Sequence, residues 1–136
     1  MICYAVIDTN VLVSALLSSK DDSATVLVLG KILSGEIVPV YSNAITSEYR
    51  EVLSRKKFGF DGGLVDYLIS SIEKFGILVN PNPSGIILPD MKDLPFYEVV
   101  LEKREDGDYL VTGNIKHFPN KPFVVTPREL LELLDK

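Results

Sequence analysis

The sequence is poor in the residues that build disulfide frameworks and zinc sites. It contains one cysteine and one histidine among its 136 residues. A single cysteine cannot form an intramolecular disulfide, so a reducing, cytoplasmic location is the default expectation. We expect Cys3 to be a buried thiol within the first strand. Because histidine and cysteine form no cluster, zinc is a poor candidate for any metal site.

The sequence also lacks a long apolar run and an excess of basic residues. The mostly apolar run 11–17 ends before the charged residues 20–22, so it is too short to span a membrane, and nothing resembles a secretory leader. Lysine and arginine number 14 against 19 acidic residues, for a net charge of −5. This balance argues against broad, charge-driven wrapping of nucleic acid. It is compatible with nucleic-acid chemistry at a carboxylate site, since such a site itself makes the charge more negative.

Apolar and helical patterns alternate along the chain in the order typical of a parallel α/β fold. Five short apolar segments predict strands, at residues 2–7, 37–41, 77–79, 109–111 and 123–125. Helical spacing between them predicts helices, including a third helix over 44–57, and Thr126 is the predicted cap of the last helix. We therefore predict one domain over residues 1–136, with a mostly parallel sheet covered by helices on both faces.

Acidic and polar residues lie where strands end and helices begin. Asp8 directly follows the first strand, and Thr112 follows the fourth. Ligands of open α/β sheets bind beyond the carboxyl ends of the strands. Glu48 and Asp93 each lie near a helix start that we expect to point toward the same edge. Three carboxylates in one crevice predict a site for a divalent cation, and hard oxygen ligands favour Mg²⁺ or Mn²⁺.

Each of these residues also has a simpler interpretation. Asp8 could cap the helix that follows it, and Glu48 could be a surface residue favoured by the helix dipole. Asp90 and Asp93 could be ordinary helix-start acids. A lone histidine such as His117 is more often a structural or surface residue than a ligand. The metal-site interpretation rests on the coincidence of the acids at one edge.

Two further features have open interpretations. The basic residues at 50 and 55–57 could be a solvated helix end or a phosphate-binding patch. A haloacid-dehalogenase-type phosphatase also opens with a strand and an aspartate, but its motif is Asp-x-Asp-x-Thr. Asn10 stands here in place of the second aspartate, so the general acid of that chemistry is missing. A metal-dependent phosphatase is therefore only a third alternative.

Four blocks of the sequence, taken in order, resemble the PIN domain, the fold of metal-dependent ribonucleases that includes the VapC toxins. Residues 8–13, Asp-Thr-Asn-Val-Leu-Val, resemble the opening motif of the family. Glu48 sits where the family carries its glutamate, residues 93–100 resemble its third acidic helix start, and residues 109–118 are similar to its last strand and turn. The resemblance spans the whole chain. It implies a three-layer fold with a five-stranded sheet in the order 3-2-1-4-5.

The resemblance also implies a function and roles for the residues. The implied function is metal-dependent cleavage of single-stranded RNA. The resemblance also implies that the protein could be the toxin of a toxin–antitoxin pair. Asp8, Glu48 and Asp93 would then bind Mg²⁺ or Mn²⁺. Asn114 would join them as a catalytic residue, and it and His117 would hydrogen-bond to metal-bound water or to the scissile phosphate. Asn10 and Thr112 are expected to contact the carboxylates and orient them without binding the metal themselves.

One departure from the family pattern keeps a second function open. Many PIN domains carry an aspartate at the position of Asn114, or a few residues on at that of His117, and neither residue is acidic here. The fourth carboxylate is therefore absent unless Asp90 compensates from the preceding loop. The alternative is a non-catalytic module that binds RNA or protein through the same fold. Expected partners are an antitoxin with a basic side chain in the acidic pocket, and a second copy of the chain bound through residues 64–75, although ordinary core packing explains that apolar helix face equally well.

Overall fold

The computed structural model describes residues 2–135, so Met1 and Lys136, the ends of the predicted domain, lie outside the described residues. Five strands lie at β1 Cys3–Ile7, β2 Ile37–Tyr41, β3 Ile77–Leu78, β4 Tyr109–Val111 and β5 Val124–Val125. Six α-helices lie at α1 Thr9–Leu17, α2 Ala24–Ser34, α3 Asn43–Leu53, α4 Gly62–Phe75, α5 Leu94–Glu102 and α6 Pro127–Leu134. Short 3-10 turns occupy Met91–Asp93, Arg104–Asp106 and Ile115–His117.

The five strands form one sheet in the order β3-β2-β1-β4-β5, and every neighbouring pair is parallel. This confirms the predicted α/β fold class and strand order. The strand β1 lies at the centre, where Ala5, Val6 and Ile7 are fully buried. A continuous apolar run is expected for a strand that is covered on both faces. The fold therefore brings the carboxyl ends of β1, β2 and β4 to one edge.

Local signals explain where most helices begin. Ser23 and Ser42 cap α2 and α3 by accepting hydrogen bonds from the amides of Val26 and Ile45. At α6, Thr126 and Glu129 form a reciprocal capping box with hydrogen bonds of 3.1 and 2.9 Å. These caps satisfy amides that have no partner within their own helix.

The third helix is shorter than predicted. It ends at Leu53 rather than at residue 57, and Ser54 closes it by donating its amide to the carbonyl of Arg50. Residues 55–57 are good helix formers, so their propensity alone favoured continuation. The chain instead turns there, and the rings of Phe58 and Phe60 stack at a centroid distance of 5.4 Å. Local turns, in which the amides of Phe58 and Gly59 donate to the carbonyls of Arg55 and Lys56, replace the helix here.

The helices pack around the sheet in two groups. Helix α5 packs on β1, β2 and β4 and contacts α3, which in turn contacts α4. Helix α2 packs on β2 and contacts both α1 and α6. The largest fully buried side chains of the core include Tyr49, Phe96, Ile7, Leu12, Ile37 and Ile45. No helix within residues 2–135 is both long enough and apolar enough to cross a membrane.

Candidate active site at the carboxyl edge of the sheet

Asp8 and Thr112 stand side by side beyond the ends of the two central strands. The last paired residues of β1 and β4 are Ile7 and Val111, and the amide of Asp8 continues the ladder by donating to the carbonyl of Val111 at 2.9 Å. The hydroxyl of Thr112 donates to Oδ2 of Asp8 at 2.7 Å. Asp8 makes no side-chain capping hydrogen bond to helix α1. Its carboxylate is therefore fixed by the neighbouring strand and is left facing the crevice.

A tight turn after β4 completes this part of the site. The amide of Asn114 donates to the hydroxyl of Thr112 at 3.0 Å, so one side chain ties Asp8 to the turn. The amide of Gly113 donates to Oδ1 of Asn10 at 3.3 Å. Asn10 thus contacts the turn rather than a carboxylate, whereas Thr112 contacts the carboxylate directly. The side chain of Asn114 is exposed at the mouth of the crevice.

Glu48 reaches the site from the second turn of α3. The hydroxyl of Thr9 donates a short hydrogen bond to Oε2 of Glu48. The next residue, Tyr49, is buried, and its hydroxyl donates to the carbonyl of Ile7. These two bonds fix helix α3 against the end of β1. Sequence reasoning missed the roles of Thr9 and Tyr49, and the signal that could have found them is that each of these hydroxyl side chains directly follows an acid, Asp8 or Glu48.

Asp93 lies at the cap position of α5, preceded by a single 3-10 turn. Its side chain makes no capping hydrogen bond to the helix, and Oδ2 is buried without a hydrogen-bond partner. Nδ1 of His117 lies 3.3 Å from that oxygen, an ion-pair contact when the imidazole is protonated. The side chain of His117 is 47% exposed against 16% for Asp93, so the ring lies on the solvent side of the carboxylate.

Neighbouring carboxylates make the ionisation of Asp8 and Glu48 harder. Burial, as the largest cause, raises the pKa of Asp8 to about 6; charge repulsion from Asp93 and Glu48 adds to this, while the Thr112 hydrogen bond opposes it. Burial and repulsion from Asp93 also raise the pKa of Glu48, against the Thr9 hydrogen bond. The pKa of Asp93 is raised by burial and then by Asp90, against His117. The three acids therefore share one electrostatic site.

Asp90 takes part in this site only through its charge. Its side chain is exposed and accepts the amide of Lys92 at 3.0 Å, which caps the 3-10 turn before α5. It is near enough to Asp93 to raise the pKa of that carboxyl. The structure therefore assigns Asp90 a local capping contact and a repulsive contribution to the site.

The donor chemistry fits a divalent cation held by few protein ligands. Within residues 2–135, no three acidic, histidine or cysteine side chains stand close enough together to hold a metal ion among them. Mg²⁺ is commonly bound through only one or two carboxylates, with water and substrate phosphate completing its shell. Asp8 and Asp93, whose charges interact, would supply such a pair, and Oδ2 of Asp93 is buried with no hydrogen-bond partner besides the 3.3 Å contact of His117. A cation there would also relieve the repulsion among the acids.

Comparison with known proteins gives one family match. The family model described as PIN domain matches residues 4–116, which contain Asp8, Glu48, Asp93 and Asn114. No curated protein and no solved structure matches the chain at a significant level. PIN domains are commonly nucleases and generally use divalent metal ions. The strand order, the acids at the carboxyl edge and a match over most of the length agree, and the chain belongs to the PIN domain family.

Proposed function

We propose that this PIN domain is a metal-dependent endoribonuclease that cleaves phosphodiester bonds in single-stranded RNA. The observation that carries the proposal is the electrostatic coupling of Asp8, Glu48 and Asp93 at the carboxyl edge of the sheet. Thr112, Thr9 and His117 each contact one of these acids and lower its pKa, yet the pKa of all three carboxyls is raised. Perturbed carboxyls of this kind in a crevice are typical of functional sites.

The residues divide the work of the reaction between them. Mg²⁺ or Mn²⁺ held by Asp8 and Asp93 would supply Lewis-acid stabilisation of the phosphate charge. Thr112 keeps Asp8 oriented through its 2.7 Å hydrogen bond, and Thr9 does the same for Glu48. Glu48 accepts a hydrogen bond from the attacking water and orients it toward phosphorus.

Two further side chains, those of Asn114 and His117, face the substrate. Asn114 is exposed at the turn, and its side-chain amide can donate to a non-bridging oxygen of the scissile phosphate. His117 contacts Asp93 through Nδ1 and its side chain is 47% exposed, so its ring can serve the same purpose. These donors stand where many PIN domains have acids. Where those PIN domains have an acid that can bind the cation, this protein has side chains that contact the substrate directly.

Cleavage of a panel of labelled single-stranded RNAs, in Mg²⁺ or Mn²⁺, tests the proposal. We expect cleavage that EDTA and the substitution Asp8→Asn each abolish. Asp21→Asn, in the exposed loop after α1, is the matched control and should cleave like the wild type. Turnover retained by Asp8→Asn would contradict the assignment of the site.

The exposed Asn114, and the finding that no three possible metal ligands cluster within residues 2–135, favour one alternative, a non-catalytic module that binds RNA or protein. In that case Mg²⁺ or Mn²⁺ raises the melting temperature, since a ligand of the native state stabilises it, but no RNA is cleaved. Turnover of a small phosphomonoester would instead favour a phosphatase. The RNA panel, a melting curve with each metal and a phosphomonoester assay separate the three functions.

We further propose two protein partners. An antitoxin would place a basic side chain among the three acids, and loss of cleavage on its addition would test this. A second copy of the chain would cover an apolar stripe on α4, where Leu64, Tyr67 and Phe75 are exposed, the last two by 63% and 67%. Light scattering after chromatography tests the dimer, and Tyr67→Lys should shift it to monomer.

A further inference from the structure

A groove borders the active site on the side of β5. Its walls come from the loop that joins β4 to β5, and it encloses about 430 Å³. This volume falls in the range of small-ligand sites. We call it the 115–121 groove after the loop residues Ile115, Lys116, Phe118, Pro119, Asn120 and Lys121, which line it together with Val124.

The groove is lined by apolar side chains on one side and by polar or positively charged side chains elsewhere. Phe118 is buried and closes the floor, where its ring packs near that of Tyr97 at a centroid distance of 6.2 Å. Ile115 is exposed and Pro119 is half-buried, so both offer aliphatic surface to a ligand. The amide side chain of Asn120 can both donate and accept hydrogen bonds.

Two lysines give the groove a positive charge in an acidic protein. Lys116 and Lys121 are both exposed, and neither forms a salt bridge in the part of the chain that the structure describes. The chain as a whole carries a net charge of −5. A basic ligand would be repelled by these ammonium groups, whereas a phosphate would be attracted. The charge therefore favours an anionic ligand.

The groove is joined to the active site through one turn. Ile115, Lys116 and His117 are successive residues of the 3-10 turn after β4. The first two line the groove, while His117 contacts Asp93 at 3.3 Å. A ligand in the groove and a group held at Asp93 are thus separated by the width of one short turn. A chain that occupies both places must be able to extend from one to the other.

We propose that the 115–121 groove binds the nucleotide next to the scissile phosphate of a single-stranded RNA. The base lies against Ile115 and Pro119, Asn120 hydrogen-bonds to the edge of the base, and the lysines contact the flanking phosphates. Unpaired bases present both a flat face and a free edge, which a duplex does not. This inference deepens the proposed nuclease function and rests on it. It makes Asn120 the residue that discriminates among bases.

Binding and cleavage of poly-A, poly-U and poly-C oligonucleotides test this inference. Binding is measured by fluorescence anisotropy on the Asp8→Asn protein with and without Lys116→Ala/Lys121→Ala. We expect the lysine substitutions to weaken binding roughly tenfold and to reduce the slope of log affinity against log salt by about 1.4, the value for two phosphate contacts on a single strand. Lys20→Ala/Lys74→Ala removes the same charge elsewhere and should change neither quantity.

Cleavage by the otherwise wild-type enzyme separates this inference from the function it rests on. We expect Lys116→Ala/Lys121→Ala to raise KM with little change in kcat, and Asn120→Ala to alter the ranking of the three RNAs. If the wild type cleaves RNA and the groove variants bind and cleave like the control, the groove assignment is wrong and the nuclease stands. If RNA binds through the lysines but no RNA is cleaved, the groove assignment holds and the nuclease is wrong.

Discussion

Replacing Asp8 by asparagine should stabilise the metal-free protein while it removes the cation site. Asp8 is only 5% exposed, and its pKa is raised from 3.8 to about 6, with burial as the largest cause. Above pH 7 the carboxyl of Asp8 is ionised in both states, and its charge is less favourable in the folded protein than in the unfolded chain. The difference between the two pKa values corresponds to about 3 kcal/mol.

Asparagine keeps the favourable contact and removes the charge. Its side-chain oxygen can still accept the hydrogen bond from the hydroxyl of Thr112. Because the new amide must also find partners, we expect only part of the 3 kcal/mol, about 1–2 kcal/mol, as a gain in the free energy of unfolding near pH 8. For a chain of this length the melting temperature would rise by roughly 4–10 °C.

The pH dependence gives the sharper test. A carboxyl with a raised folded-state pKa binds its proton more tightly in the folded protein, so the wild type gains stability from Asp8 as the pH falls through 6 toward 4. The difference between Asp8→Asn and the wild type should therefore be largest near pH 8 and shrink toward zero near pH 4. Urea unfolding in EDTA across this range measures it, with Asp21→Asn as control. A variant less stable than the wild type at pH 8, or a difference independent of pH, would refute the reasoning.

Three further substitutions test other parts of the structure. Thr9→Val removes the hydrogen bond that lowers the pKa of Glu48. We therefore expect kcat to fall roughly tenfold and the acid limb of the pH profile of kcat to move to higher pH. Thr9→Ser keeps the hydroxyl and should keep the wild-type kcat and pH profile. Asp108→Asn should raise the free energy of unfolding by roughly 1–3 kcal/mol near pH 8 and by less at lower pH. The reason is that both oxygens of this buried carboxylate lack hydrogen-bond partners and that burial raises its pKa. Urea unfolding measures the change. Gly76→Ala should cost roughly 2 kcal/mol or more in the same assay, because a Cβ there overlaps the carbonyl oxygens of Pro39 and Ile72, whereas Gly30→Ala in open space on α2 should stabilise.

The sequence patterns were sufficient for the strands and their parallel direction, whereas the strand order was implied by the resemblance to PIN domains and is confirmed by the structure. Buried strands read as continuous apolar runs, and helical patterns between them require parallel crossovers. The neighbourhood of Asp8 and Thr112 follows from the same topology, since β1 and β4 are paired up to Ile7 and Val111. Such placements depend only on which strand lies next to which.

The contacts made by the helices could not be predicted in this way. Whether Thr9 reaches Glu48 depends on the rotation of α3, which the buried hydroxyl of Tyr49 fixes at the carbonyl of Ile7. Helix rotation is decided by packing across the sheet, and that information is spread over residues far apart in sequence. The contact of His117 with Asp93 joins two irregular segments, where no periodicity exists to guide a prediction.

A comparison of the two most buried acids shows what distinguishes a site from a structural residue. Asp8 and Asp108 lie at opposite edges of the sheet, and burial raises the pKa of both. The charged neighbours differ: Asp93 and Glu48 raise the pKa of Asp8, whereas Lys103 and Arg104 lower the pKa of Asp108 and only Asp106 among its charged neighbours raises it. Burial alone costs stability at either edge, but Lys103 and Arg104 already offset negative charge beside Asp108, whereas at the Asp8 edge a divalent cation can neutralise several carboxylates at the same time.

This difference has a direct consequence for metal binding. If the cation binds where the carboxylates repel one another, Mg²⁺ or Mn²⁺ should stabilise Asp108→Asn by as much as it stabilises the wild type, about 2.7 kcal/mol at a hundredfold excess over Kd. The same metal should have little effect on Asp8→Asn, even though that variant starts from a higher stability. Urea unfolding with and without metal measures both. Equal metal effects on the two variants would show that the cation binds elsewhere.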